Sequence, residues 1–265
     1  MMTLCENNGI LMKALTAVLL LAAAPLAMSF TTDELVGKNV AAKGGLEKLH
    51  AIHSLRLTGK LLVNGGMLQL HYVTLVDLPH SVRYEAELQG LTQVQAFDGL
   101  QAWQINPFQG RKDPEKLSTD DAKAMGEDAL DALGALVDYR EKGYQIDYLG
   151  TEDVDGTAAH KLRVKRPNGD VLFVYLDPDY FLEIRTLSHR IEHGVPIEIV
   201  TDYGDYEKVG GVYLALAQES GPKGSGDRQK VQFDSAEINV AITPAVFKFP
   251  APDPAGAVGG SASRG

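Results

Sequence analysis

Cysteine is almost absent from this sequence of 265 residues. The single cysteine, Cys5, precedes an apolar stretch that we expect to be removed together with the N-terminus. A mature chain without cysteine forms no disulfide, and it offers neither a thiol nucleophile nor a thiolate metal ligand. We therefore expect its stability to come from a hydrophobic core, for which a hydrophobic content of 45% is sufficient.

Runs of basic residues are also missing. The formal net charge is −10 at pH 7, and no Lys/Arg-rich stretch offsets it. Because an acidic chain repels nucleic acid through its overall field, nucleic acid is not an expected partner. The sequence also lacks the G-x-S-x-G, Walker A and G-x-G-x-x-G motifs, so we expect neither an enzyme nor a cofactor.

The apolar stretch near the N-terminus is too short to cross a membrane. It runs from Ala14 to Ala24, whereas a membrane-spanning helix needs about 20 apolar residues. Small residues follow it, so residues 1–29 are predicted to be a secretory signal peptide that is cleaved near Ser29-Phe30. The mature protein is therefore expected in the periplasm. Met1 and Met12 are both candidate start residues.

Residues 30–250 are predicted to form a single domain that is mainly β. From Ser54 onward, apolar and polar residues alternate, and turn signals recur along the chain. This pattern is typical of an antiparallel meander, here of about 11–12 strands. Only residues 107–143 are long enough for a crossover connection, so a parallel sheet is not expected. The tail, residues 251–265, is rich in Pro, Gly, Ala and Ser and is predicted to be disordered.

A helical segment precedes the strands. Residues 31–52 begin with a capping box formed by Thr31 and Glu34, which is a helix-start signal. Gly44-Gly45 interrupts the segment, so a short second helix is expected before the first strand.

A second helical segment lies between the strands. Ser118 and Asp121 form another capping box, and apolar residues recur at helical spacing over about residues 118–137. The carboxylates of this helix, including Glu127 and Asp128, are interpreted as a solvated polar face. The helix is expected to cover one side of the sheet.

One motif suggests a zinc site. His189, Glu192 and His193 match H-x-x-E-H, the pattern of one class of zinc peptidases. That pattern needs a helix, because only there do residues i and i+4 lie on one face and share a metal. The surrounding residues show no helical apolar face, and Gly194 indicates a hairpin turn. Because four residues of a strand span about 13 Å, we expect no metal site.

The most distinctive segment is apolar rather than reactive. Residues 97–110 contain the only tryptophan, and the amphipathic helix follows shortly afterwards. A curled antiparallel sheet is filled either by large side chains or by a ligand, and the aromatic content of only 7% favours a ligand. The residues predicted to line an apolar, ligand-binding cavity are Leu68, Leu70, Tyr72, Phe97, Trp103, Ile105, Phe108, Met125, Leu133 and Leu136.

Several stretches resemble one protein family. The opening stretch is DELVGKNVAAKGGLEKLHAIHSLRLTGKL, and FDGLQAWQINPFQG, ALVDYREKG, YLGTEDVDGTAAHKLRV and VYLDPDYFLEIR follow it. On these residues the sequence resembles exported proteins related to outer-membrane lipoprotein-sorting proteins, the LolA/LolB-like superfamily. The resemblance covers most of residues 31–250.

The resemblance implies an incomplete antiparallel β-barrel whose open side is covered by helices, with an apolar cavity between them. Members bind lipid acyl chains, such as those of lipoproteins, and carry them across the periplasm without catalysis. It therefore implies a carrier of a lipid or of lipoprotein acyl chains, with a membrane-bound donor or acceptor protein as a further partner. We expect a monomer. An envelope-stress sensor or adaptor of the same fold is the alternative, and a hydrolase is a third, disfavoured reading.

Overall fold

The computed structural model describes residues 30–192, 194–226 and 228–250. The predicted signal peptide, its cleavage site and the predicted disordered tail lie outside these residues. Within them the fold is mainly β, as predicted, and its strands form a single antiparallel sheet. No helix in this part of the chain is both long enough and apolar enough to span a membrane.

The sheet contains thirteen strands, one or two more than predicted. Tight turns join most of them, because glycines, together with Asn64, Gln89 and Asp155, adopt the left-handed backbone conformation between consecutive strands. The strands are β1 Ser54–Val63, β2 Leu68–Asp77, β3 Ser81–Leu88, β4 Leu91–Phe97, β5 Ala102–Asn106, β6 Arg111–Lys116, β7 Gln145–Val154, β8 Thr157–Lys165, β9 Val171–Leu176, β10 Glu183–Glu192, β11 Val195–Val209, β12 Val212–Pro222 and β13 Gln229–Ile238.

The strand order shows that the barrel is incomplete. It runs β6-β5-β4-β3-β2-β1-β13-β12-β11-β10-β9-β8-β7, so the first and last strands of the chain are neighbours in the middle of the sheet. Strands β6 and β7 are the two edges and do not pair with each other. The curled sheet therefore has an inner face and an outer face, which confirms the predicted half-barrel.

The seam between β1 and β13 includes a close approach of two backbones. The register of the pairing shifts between Thr58 and Gly59. Gly59 is buried, and a Cβ atom at this position would overlap the backbone of Gln232 and Phe233. Glycine is therefore needed here because it leaves room for the neighbouring strand.

Two short helices close one end of the half-barrel. Helix α1, Thr32–Ala42, begins with the predicted capping box, and helix α2, Leu46–His50, follows the predicted glycine interruption. The amide of Tyr213 donates a hydrogen bond of 2.9 Å to the carbonyl of Lys43, which ties the connection between the helices to β12. Both helix predictions are confirmed.

The third helix lies across the inner face of the sheet. Helix α3, Thr119–Leu130, starts with the predicted capping box and contacts β3, β4, β5 and β10. The ring of Phe97 lies against Gly126 of this helix. The predicted end near residue 137 is wrong, because the backbone leaves the helical conformation at Asp131 and Gly134 adopts a φ of 102°. Residues 131–144 instead form a series of turns.

The C-terminal segment covers part of the outer face. The indole of Trp103 is 2% exposed and donates a hydrogen bond of 2.8 Å to the carbonyl of Phe247. Arg83 donates to the carbonyl of Val246, and the ring of Phe249 packs edge-on against Trp103. These contacts fasten residues 246–249 to the back of β3–β5.

A buried histidine lies where α1 packs against the sheet. His160 of β8 is stacked on Phe181 with ring centroids 5.9 Å apart, and Phe30 meets it edge-on. The hydroxyl of Tyr148 lies 2.9 Å from its Nδ1 atom, and Lys38 lies over the rings of Phe30 and Phe181. Burial lowers the pKa of His160, because the apolar rings disfavour its charged form.

The stability of the protein should therefore depend on pH through His160. Its contribution is complete above the unfolded-state pKa of 6.5 and is lost as the pH falls through the lower folded-state pKa. We expect His160→Gln to reduce this loss of stability in urea unfolding curves recorded between pH 8 and 5. The matched control is His71→Gln, because His71 is exposed on β2. An equal pH dependence in the wild type and His160→Gln would contradict the prediction.

Candidate functional site

A cavity of about 370 Å³ lies between the inner face of the sheet and the segment formed by α3 and the turns after it. This volume is within the range of small-molecule binding sites. Leu49 of α2 and Leu55 of β1 line the closed end. The wall extends to Ile199, near the start of β11, and to Ser220, near the end of β12.

One wall of the cavity is apolar. Strands β1 to β3 contribute four of its side chains, and others come from α2, β9 and β11–β13, because alternate side chains of a strand point to the same face. Leu57 and Val76 illustrate this arrangement, since both lie on the inner face of neighbouring strands. The apolar lining residues include Leu49, Leu55, Leu57, Val76, Val82, Leu133, Leu172, Val174, Ile199, Leu214, Val231 and Phe233.

Another part of the lining, here called the polar wall, carries the polar side chains of β10, β11 and β12. Thr186 and Ser188 of β10 alternate onto the inner face, and the hydroxyl of Thr186 lies 3.2 Å from that of Tyr203. On the next pair of strands, the hydroxyls of Thr201 and Ser220 lie 2.9 Å apart. The cavity is therefore amphipathic, whereas the sequence predicted an apolar lining.

Two residues join α3 to the sheet. Arg190 of β10 donates a hydrogen bond of 3.0 Å from Nη2 to Asp128 of α3. The hydroxyl of Tyr84 on β3 donates to the other oxygen of the same carboxylate, at 3.2 Å. Asp128 thus links α3 to both halves of the curled sheet.

A second ionic cluster lies deeper under the helix. The guanidinium of Arg166 donates to Glu127 through Nη1 and to Asp131 through Nη2, the latter at 2.8 Å. Lys142 donates to the other oxygen of Asp131 at 3.0 Å. Burial raises the pKa of Glu127, and the positive charge of Arg166 opposes this rise. The side chain of Arg166 is only 8% exposed, so water cannot replace its partners, and each charge of the cluster is stabilised mainly by the opposite charges beside it.

A third ion pair closes the turn after α3. Lys43 donates a hydrogen bond of 2.8 Å to Glu183, and each side chain is 8% exposed. The hydroxyl of Tyr206 donates to the backbone carbonyl of Glu183 at 2.8 Å. Gly134 packs against both members of the pair, so a Cβ atom there would have to displace the Lys43 ammonium and the Glu183 carboxylate.

The tyrosines of the cavity act as neutral hydroxyl groups. Burial raises the pKa of Tyr203 to about 12, because the low-dielectric surroundings disfavour the phenolate. The pKa values of Tyr72, Tyr84 and Tyr206 are also raised by burial. These residues therefore offer hydrogen bonds to a ligand and no negative charge.

The ten residues predicted to line the cavity are distributed over several places. Tyr72 and Leu133 lie on its wall. Phe97 and Met125 belong to the core between α3 and β3–β5, and Leu136 belongs to the core beneath α1. Their side chains hold the helices on the sheet and do not line the cavity.

The remaining five do not line the cavity either. Ala96 pairs with Trp103, and Val94 pairs with Ile105, on the outer face. The expectation that Trp103 and Ile105 line the cavity is therefore corrected, because both point away from it toward the C-terminal segment. Leu68 and Phe108 are exposed at the hairpin tips, and Leu70 is buried on β2 without lining the cavity.

The polar wall was missed at the level of the sequence. The sequence pattern predicts a solvated helix face for Glu127 and Asp128, whereas the structure places both on the cavity wall. A signal was present in β10, where Thr186, Ser188 and Arg190 alternate with other residues. These alternating residues form the inner face of the strand, but because they are polar the sequence pattern indicates an exposed face.

The H-x-x-E-H stretch lies at the end of a strand, as predicted. Strand β10 ends at Glu192, and His189 lies 3.3 Å from Glu198 on the neighbouring strand β11. His193 is outside the described residues. Among those described, no group of three or more His, Cys, Asp or Glu side chains could hold a metal ion. The strand context is therefore confirmed, while the absence of a zinc site stays a prediction.

Comparison with known proteins identifies the fold. No family model matches the sequence, and no curated protein matches it significantly. A LolA superfamily protein from Nitrosomonas europaea matches with a TM-score of 0.54 and 11% identity over 83% of this chain and 98% of that chain. A DUF1329 family protein from Desulfovibrio piger matches with a TM-score of 0.55 and 12% identity over 83% and 98% of the two chains.

A third solved structure belongs to the same group. It is an outer membrane lipoprotein-sorting protein domain from Vibrio parahaemolyticus, with a TM-score of 0.50 and 12% identity over 81% of this chain and 94% of that chain. The protein is therefore of the class with a LolA-like fold. This finding confirms, at the level of the fold, the resemblance that the sequence indicated.

Proposed function

We propose that the protein is a non-catalytic periplasmic carrier that holds a lipid, or the acyl chains of a lipoprotein, in the cavity beneath α3. The observation that carries the proposal is the space of about 370 Å³ between an apolar wall and a polar wall, which the side chains leave unfilled. The structural likeness to a lipoprotein-sorting domain supports it.

The two walls suit the two parts of an amphiphile. An acyl chain placed against the leucines and valines of β1–β3 gains about 0.8 kcal/mol for each CH₂ group removed from water. The polar wall of β10–β12 receives the head group through hydroxyls and Arg190. Release requires α3 to move, because Asp128 and Glu127 hold the helix to β10 and to Arg166.

The test is to block the cavity and measure bound lipid. Leu57 lines the apolar wall of β1, so Leu57→Trp should place an indole in the space that the acyl chain would occupy. We expect the purified wild type to contain lipid in mass spectra of its organic extract. Leu57→Trp should lose at least about nine-tenths of it, equivalent to about 1.4 kcal/mol of binding free energy.

The matched control is Leu62→Trp on the same strand. Leu62 is five residues further along β1, so its side chain points to the opposite face, and it does not line the cavity. This variant should retain the lipid content of the wild type. Wild-type protein that is empty and binds no added lipid, or a Leu57→Trp variant that retains its lipid, would contradict the proposed carrier function.

A further inference from the structure

The polar wall contains a guanidinium with unused hydrogen-bonding capacity. Arg190 lines the cavity, and its side chain is 32% exposed. An arginine offers five N–H donors, yet in the described part of the chain its side chain donates only through Nη2, to Asp128. Its Nε atom is buried without a partner, so the remaining exposure belongs to the other end of the group. That end can donate to an acceptor on a ligand.

Hydroxyl groups line the same wall as this guanidinium. Thr186 and Ser188 lie on the same face of β10 as Arg190, because they precede it by four and two residues. Thr201 and Ser220 line the same wall from the two following strands. Since a hydroxyl both donates and accepts a hydrogen bond, this wall suits a head group rich in oxygen atoms.

The charges of the wall are already balanced. Four carboxylates, Glu127, Asp128, Asp131 and Glu183, line the cavity. Each is paired with a basic side chain, and the four basic partners are Arg166, Arg190, Lys142 and Lys43. An ionised head group would therefore enter a partly desolvated site without an unpaired counter-charge, which is unfavourable.

We infer that the cavity selects an amphiphile with an uncharged, oxygen-bearing head group, such as a glycerol ester of a fatty acid, over an ionised fatty acid. The ester carbonyl accepts from Arg190, and the glycerol hydroxyls bond to the hydroxyls of β10–β12. This inference rests on the proposed carrier function and defines the chemical class of its ligand.

Two probes with the same acyl chain test the inference. Monododecanoylglycerol and dodecanoate are titrated, at pH 8 and below their micellar concentrations, against the full-length protein freed of bound lipid. At this pH the carboxyl group is ionised. Displacement of a fluorescent fatty ester gives both dissociation constants. We expect the ester to bind at least tenfold more tightly than the fatty acid anion.

A variant with one negative charge fewer in the cavity is expected to bind the fatty acid anion more tightly. Asp128→Asn removes one negative charge from the wall and releases Arg190 from its ion pair, while the amide oxygen still accepts from Tyr84. This variant should bind dodecanoate at least tenfold more tightly than the wild type. The control is Asp147→Asn, which makes the same charge change in an exposed pair with Arg163 and should affect neither probe.

The possible outcomes separate this inference from the carrier function. If both probes bind but the fatty acid anion binds equally or more tightly, the head-group inference is wrong and the carrier function stands. If Asp128→Asn leaves the affinity for dodecanoate unchanged, the charge-balance argument is also wrong. If neither probe binds, the head-group inference and the acyl-chain carrier function fail together.

Discussion

Replacing Arg166 by methionine is expected to lower the free energy of unfolding by about 3–5 kcal/mol, the usual cost of breaking a buried ion pair by removing one partner. Arg166 pairs with Glu127 and Asp131, whose side chains are each 11% exposed. Asp131 keeps Lys142 and Tyr144 as partners, whereas Glu127 keeps a 3.4 Å contact to Asn168 and the more distant positive charge of Arg190. Most of the lost free energy of unfolding is therefore expected to come from Glu127, whose buried carboxylate loses its close basic partner.

The same substitution should change the pH dependence of stability. In the wild type the positive charge of Arg166 opposes the rise that burial produces in the pKa of Glu127. Without Arg166 the folded-state pKa of Glu127 rises further above its unfolded value. A carboxyl with a raised folded-state pKa gains stability as the pH falls through that pKa. The difference between wild type and Arg166→Met should therefore shrink from pH 8 to pH 5.

Urea unfolding followed by circular dichroism measures both effects. The matched control is Arg163→Met, which removes an arginine from the same strand region but breaks only an exposed pair with Asp147. An exposed pair contributes about 0–1 kcal/mol, so this variant should unfold close to the wild type. An equal decrease in the free energy of unfolding for Arg166→Met and Arg163→Met would show that the buried cluster contributes no more to stability than an exposed ion pair.

Gly59→Ala is expected to destabilise the fold by about 3 kcal/mol or more, because overpacking of this size exceeds what side-chain movement relieves. The added Cβ would overlap the backbone of Gln232 and Phe233, which cannot rotate away as a flexible side chain would. The overlap would disrupt the pairing of β1 with β13, which joins the two halves of the sheet. Thermal or urea unfolding of the variant measures the loss.

Gly37→Ala provides the control for this prediction. Gly37 lies within α1, and a Cβ atom there would meet nothing within 4 Å. Alanine is favoured over glycine inside a helix by about 0.5–1 kcal/mol, so this variant should be as stable as the wild type or slightly more stable. The prediction for the seam would be wrong if Gly59→Ala unfolded within about 1 kcal/mol of Gly37→Ala.

Local patterns in the sequence predicted the elements of the fold well. The two capping boxes, Thr31 with Glu34 and Ser118 with Asp121, begin helices in the structure where the pattern placed them. Such predictions succeed because the hydrogen bonds involved join residues three positions apart. The end of α3 was missed because Gly134 is fixed by packing against a distant ion pair, which no local pattern records.

Two further misses have physical reasons. Strand β6 was not predicted, because its sequence RKDPEK is charged and contains a proline, features that are tolerated only at the edge of a sheet. The charged half of the cavity was missed because a buried carboxylate looks like a solvated one until its partner is known. For Asp128 that partner is Arg190, 62 residues further along the chain.

The position of Trp103 has a consequence for spectroscopy. As the only tryptophan, it dominates the intrinsic fluorescence of the protein, yet its indole is enclosed on the outer face by Phe247 and Phe249. Its emission is therefore an optical sensor for detachment of residues 246–249 from the back of the sheet. A silent tryptophan signal during a lipid titration would leave occupancy of the cavity undecided, so occupancy has to be followed with a label on the ligand.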